Sequence, residues 1–111
     1  MNLEEFQKRL EDGCQKLNLP TPRTARQGFS FTKFELRIGL ETSIEIYFNE
    51  ETNSLTSALI RRNERIFGTD DYPTSGGSHL HPLGRVEEHL KISPMQIEEI
   101  LEEYVKILRQ L

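Results

Sequence analysis

All three histidines of the chain, His79, His81 and His89, lie in the stretch that begins at Gly76 and ends at His89. Pro82 disfavours the helical region for His81, so this segment is expected to run extended. Residues i and i+2 then point the same way, which puts His79 and His81 on one face with Cα atoms roughly 6.6 Å apart. Gly76 and Gly77 give the approach the freedom to bring backbone amides close to a ligand. Two imidazoles so placed can take a proton from a ribose 2′-hydroxyl and return one to the leaving oxygen, with an arginine stabilising the phosphorane. They can instead hold zinc, nickel or manganese, with His89 or Asp70 as the third ligand. A His-x-His pattern is short and arises often by chance, so structural and surface roles stand beside both chemistries.

The electropositive partner is expected to be one of Arg61, Arg62 and Arg65, on a hairpin just before the histidines. Charges there can also simply protect a strand end. Arg23 and Arg26 fall in Pro20 to Gly28, a stretch without apolar periodicity that reads as a mobile connection. Its sharper reading is a phosphate-binding arm, because the guanidinium fork matches phosphate. Asp70 and Asp71, ahead of Tyr72 and Pro73, carry a turn signature. Tyr47 faces out of its strand, either to assist at the site or to be covered by a helix.

These residues need a scaffold. Asn2 caps a first helix, with Glu5 three residues on, and Leu3, Phe6, Leu10, Cys14 and Leu17 form its apolar stripe. Cys14 on that stripe reads as a small core residue rather than a nucleophile. Pro20 and Pro22 end the helix. Strand material follows from Phe29 to Ile38, where a bulge near Thr32 would bring Phe29 and Phe31 onto one face. Further strands are expected from Ser43 to Phe48, Leu55 to Ile60 and Arg65 to Phe67, joined by short turns. Connections this short join antiparallel neighbours, so the expectation is an antiparallel meander of about four strands. Ser93 and Pro94 open a last helix, with Met95, Ile97, Ile100, Leu101, Tyr104, Val105, Leu108 and Leu111 as its stripe. The predicted fold class is α+β, a four-stranded sheet flanked by an N-terminal and a C-terminal helix.

At 111 residues, with 35% hydrophobic and 29% charged side chains, the chain suits one folded domain spanning residues 1–111. No apolar run is long enough for a membrane helix, and the acidic, amphipathic start is not a signal peptide. A single cysteine excludes an internal disulfide and fits a reducing compartment, so a cytoplasmic location and no membrane partner are expected. A net charge of −4 argues against a protein that coats nucleic acid by charge alone. The charge is uneven, however. Lys16 to Gly39 holds five basic residues and one acidic, and Glu87 to Leu111 holds six acidic and three basic. Such halves can meet RNA on one side and a basic partner on the other, or be two solvated surfaces.

One stretch resembles a known family. Arg65-Ile66-Phe67-Gly68-Thr69-Asp70, Gly77-Ser78-His79-Leu80-His81-Pro82, Glu87-Glu88-His89 and the closing helix together resemble the TumE-like toxins of prokaryotic toxin–antitoxin systems. The likeness covers roughly residues 47–111. It departs at Ser78, where that family often carries an aromatic residue. The resemblance implies a small toxin that cleaves or binds RNA without a cofactor and pairs with a cognate antitoxin. Asp70, His79 and His81 match its motif, and His89 matches more loosely. A non-catalytic interaction module or homodimer is the first alternative, and a metal-dependent hydrolase using the histidines is the second.

Overall fold

The computed structural model describes residues 1–72 and 77–111 of the chain. Helix α1 (Leu3–Lys16) leads into strands β1 (Arg23–Gln27), β2 (Phe31–Arg37), β3 (Thr42–Asn49), β4 (Ser54–Arg61), β5 (Glu64–Tyr72), β6 (Gly77–His81) and β7 (Leu90–Lys91). Helix α2 (Ile97–Leu108) closes the chain. The strands pair in sequence order and every pairing is antiparallel.

The sheet therefore has seven strands, not four. The meander topology is as the short connections require, but it extends further at both edges than the sequence pattern predicts. Strand β1 lies where a mobile connection was expected. All five of its residues are exposed, so it carries no alternating apolar pattern, and pairing with β2 alone makes it a strand. At the other edge β5 continues through Asp70 and Asp71, where a turn was expected, because β6 pairs with it from Gly68↔His81 to Tyr72↔Gly77. The turn-formers 73–76, Gly76 among them, lie outside the described residues. Strand β7 spans only two residues, too short for periodicity to reveal.

Both helices cover one face of the sheet. Phe34, Leu36, Ile44, Ile46, Phe48, Leu59 and Phe67 meet Phe6, Leu10 and Cys14 of α1 and Ile97, Ile100, Leu101 and Tyr104 of α2 in one core. Phe6 stacks on Phe48 at 4.3 Å, and Tyr104 meets Phe67 edge-on at 5.4 Å. Cys14 is buried there, as its place on the stripe implies, and burial pushes its thiol up to about 12. Thr32 also faces the core, while Phe31 points to the other face and Phe29 is wholly exposed. No bulge at Thr32 joins the two rings. Register shifts lie instead between Thr24 and Arg26 and between Leu59 and Ile60. Among the described residues no helix is long and apolar enough to cross a membrane.

The helix termini follow local chemistry. Asn2 Oδ1 accepts from the Glu5 N–H at 2.8 Å, the expected cap. Helix α2 starts at Ile97, three residues past Pro94, because the Ile92 N–H still donates to the Ser78 carbonyl and holds the chain to the sheet edge. The cap is Gln96, whose N–H donates to Glu99 Oε1 at 2.9 Å.

Arg9 of α1 clasps Glu98 of α2 through two hydrogen bonds, at 2.9 and 2.5 Å. Those bonds hold the Glu98 carboxyl below its ordinary range. Its contribution is present above the ordinary carboxylate value and lost as pH falls through the depressed one. Both side chains are more than a third exposed, so solvent screening limits the pair to about 0.2–1 kcal/mol. Glu98→Gln is expected to lower the melting temperature slightly at neutral pH, and the gap from wild type should close below about pH 4. Paired thermal melts across pH check this.

Candidate functional site

The face without helices carries one continuous polar row. Strand register pairs Arg26 with Lys33, Lys33 with Tyr47, Tyr47 with Thr56, Thr56 with Asp70, Asp70 with His79, and His79 with Lys91. Cross-strand partners lie on the same face, so these seven residues form a line across all seven strands. The next row on that face runs Glu35, Glu45, Ala58, Gly68 and His81. Ala58 and Gly68 leave a depression between the rows. Arg26, Lys33, Glu45, Tyr47, Thr56, Ala58, Arg65 and Asp70 line the resulting groove of about 270 Å³.

Asp70 is the centre of one end. Its Oδ2 lies 2.7 Å from His81 Nε2, and His81 Nδ1 lies 2.9 Å from the Val86 carbonyl oxygen. A carbonyl only accepts, so Nδ1 carries a hydrogen that it donates to Val86. The contact at Nε2 needs one further proton, whichever partner holds it. His81 is 4% exposed and has both ring nitrogens committed. It ties β6 to β5 and to the 82–89 segment that folds over it.

Arg65 reaches this cluster by a device in the backbone. The register shift opposite Leu59 and Ile60 leaves Ile66 unpaired, and Ile60 pairs with Arg65. The extra residue turns Arg65 toward the helix-free face. Its guanidinium then lies along Gly68 and comes within 3.9 Å of Asp70 Oδ2. A Cβ at position 68 would stand 2.8 Å from the Ser57 carbonyl and 3.2 Å from Arg65 Nε. Only glycine leaves both in place.

His79 and His89 complete the group. His79 projects from β6 on the same face as Asp70 and is half-buried, and His89 is exposed. Their rings meet edge to face with centroids 6.0 Å apart, and His89 touches the His81 ring in the same manner at 4.3 Å. The structure thus gathers Asp70, His79, His81, His89 and Arg65. Arg23 pairs with Glu35 at 3.1 Å, outside the groove. Arg26 covers the Phe31 ring at 5.2 Å and lines the groove. Arg61 and Arg62, at the β4–β5 hairpin, line with Arg65, Ile66, Leu83, Val86 and Leu111 a separate cavity, and Arg62 pairs with Glu41 at 3.0 Å. Among the described residues no three His, Cys, Asp or Glu side chains are arranged to hold a metal ion. A site through His81 Nε2 would have to displace its contact with Asp70, while the Nδ1–H bond to the Val86 carbonyl could remain.

From sequence Lys33 and Thr56 are not singled out as binding residues, and Tyr47 is named only as an outward residue that either assists at the site or is covered by a helix. Alternation places each outward, but only register reveals that they line up with Asp70 and His79. Ser78, where the resembling family often has an aromatic, is 4% exposed on the helix-covered side and donates to Asp71 Oδ1 at 2.9 Å. A ring there would enter the space near Ile92, Met95 and Ile100, away from the histidine face. No protein-family model, curated protein or solved structure matches the chain.

Proposed function

We propose that the protein is an RNA-cleaving toxin of a toxin–antitoxin pair, acting without a metal through the cluster around Asp70. The observation that carries this reading is the pair of solvent-reaching imidazoles, His79 and His89, 6.0 Å apart beside Arg65 at the end of the polar row. In this reading His79 takes the proton of a ribose 2′-hydroxyl, whose oxygen attacks the adjacent phosphorus. His89 gives its proton to the departing 5′-oxygen, the P–O bond to that oxygen breaks, and a cyclic phosphate remains. Water then returns both rings to their starting protonation. Arg65 balances the charge that builds on the phosphorane, and Arg26 and Lys33 hold phosphates farther along the row.

His81 has a different part. Sequence spacing paired it with His79 as acid and base, but its burial and its two hydrogen bonds favour a positioning role. It holds β6 against Asp70 and supports the ring of His89. Asp70 in turn orients His81 and is approached by Arg65.

The test is direct. Full-length protein incubated with RNA in the presence of a chelator is expected to release fragments ending in a cyclic phosphate. Intact RNA under those conditions overturns the proposal. The competing reading, a non-catalytic interaction module, draws on Phe29 and Leu40, which are 100% and 96% exposed on hairpins of the sheet. It predicts a solution mass above that of one chain, or a stable complex with a partner, together with no RNA turnover.

A further inference from the structure

We infer that Tyr47 is a base-stacking platform, so that the substrate of this site is single-stranded RNA laid across the sheet from β2 to β6. The inference rests on the RNA reading above and adds a subsite to it. Tyr47 projects from β3 on the helix-free face and forms one wall of the groove. Behind it the Phe31 ring stacks at 5.4 Å with an interplanar angle of 29°. Phe31 is itself seated, because a Cβ at Gly28 would stand 2.1 Å from its ring. Arg26 covers that ring at 5.2 Å. The aromatic pair is thus backed and preorganised, and a ring that is already fixed loses little entropy when a base stacks on it.

The groove's contents suit one nucleotide. Its volume of about 270 Å³ is below the range of drug-sized ligand pockets. Arg26, Lys33 and Arg65 supply cations for phosphate, Lys33 and Arg65 beside the Glu45 and Asp70 carboxylates that also line the groove, and the Thr56 hydroxyl supplies a hydrogen bond. Tyr47 and His79 lie three strands apart in one row, about 14 Å at the usual strand spacing. A base on Tyr47 therefore belongs to a nucleotide other than the one whose bond is broken, joined to it by an extended backbone. Paired bases are stacked on each other and cannot offer a face to Tyr47, so the geometry selects single strands.

The test measures binding of the full chain to a fluorescent 2′-O-methyl oligonucleotide, which lacks the nucleophile and stays intact. Tyr47→Ala is expected to weaken single-strand binding about 5- to 100-fold, and Tyr47→Phe to leave it unchanged. Oligonucleotides each lacking one base provide a readout on unaltered protein. One abasic position should weaken wild type by the same factor and leave Tyr47→Ala unaffected. Equal affinity for duplex and single strand, an abasic series without effect, or wild-type affinity in Tyr47→Ala overturns the inference. If RNA is still cleaved in those cases, the RNA reading stands alone. If wild type neither binds nor cleaves RNA, both fall.

Discussion

Asp70→Ala is expected to destabilise the fold by about 1.5–3 kcal/mol, the range for a hydrogen bond involving a charged partner. The reason is His81. Its ring is buried, its Nδ1 is fixed on the Val86 carbonyl, and its Nε2 has Asp70 Oδ2 as partner at 2.7 Å. Alanine leaves that nitrogen without a partner in a place water does not readily reach. For a domain of this size the loss corresponds to a fall in melting temperature on the order of 10 °C. Asp70→Asn should cost clearly less, because an amide can still donate to or accept from Nε2. Thermal unfolding of the three proteins separates the cases. Should Asp70→Ala melt within a degree or two of wild type, the pair is not structural and the positioning role given to His81 is wrong.

The second large effect follows from the proposed RNA cleavage. His79→Ala and His89→Ala should each slow cleavage by about 10²–10⁴-fold, the usual contribution of a positioned general acid or base. Both rings lie at the surface end of the cluster and neither supports the core, so these variants are expected to melt near wild type. The double variant should be no more than slightly slower than the weaker single, because two groups acting on one transition state do not contribute additively. Cleavage rates under single-turnover conditions decide this. Unchanged rates in both single variants would sink the acid–base assignment even if RNA is degraded.

Physical reasons divide what was legible in the chain from what was not. The stripe of Phe6, Leu10 and Cys14 and the alternation of Ile44, Ile46 and Phe48 identify a helix and a strand, because burial on one face imposes a period on the sequence. Strand β1 imposes no period, since both of its faces are exposed. Strand β7, of two residues, is too short to display one, and β6 buries Ser78 and His81 without alternation. The sheet is therefore wider than the sequence pattern implies where pairing, not burial, makes the strand. The same limit hid part of the site. His79, His81 and Asp70 stand out by residue type, and Tyr47 as an outward ring, whereas Lys33 and Thr56 look like ordinary outward residues of two separate strands.

The sequence by itself determined the ingredients: an α+β chain, a helix at each end, a buried Cys14 and an extended segment with His79 and His81 on one face. Each follows from local rules of spacing, capping and proline geometry that act within a few residues. Tertiary structure alone decided which histidine has both ring nitrogens occupied. Asp70 and Val86 take both nitrogens of His81, and the 82–89 segment buries it, while His89 swings back to stand beside His79. It also decided the path of Arg65, through a bulge and the missing side chain of Gly68. These depend on register between strands and on space between side chains, which no window of sequence contains.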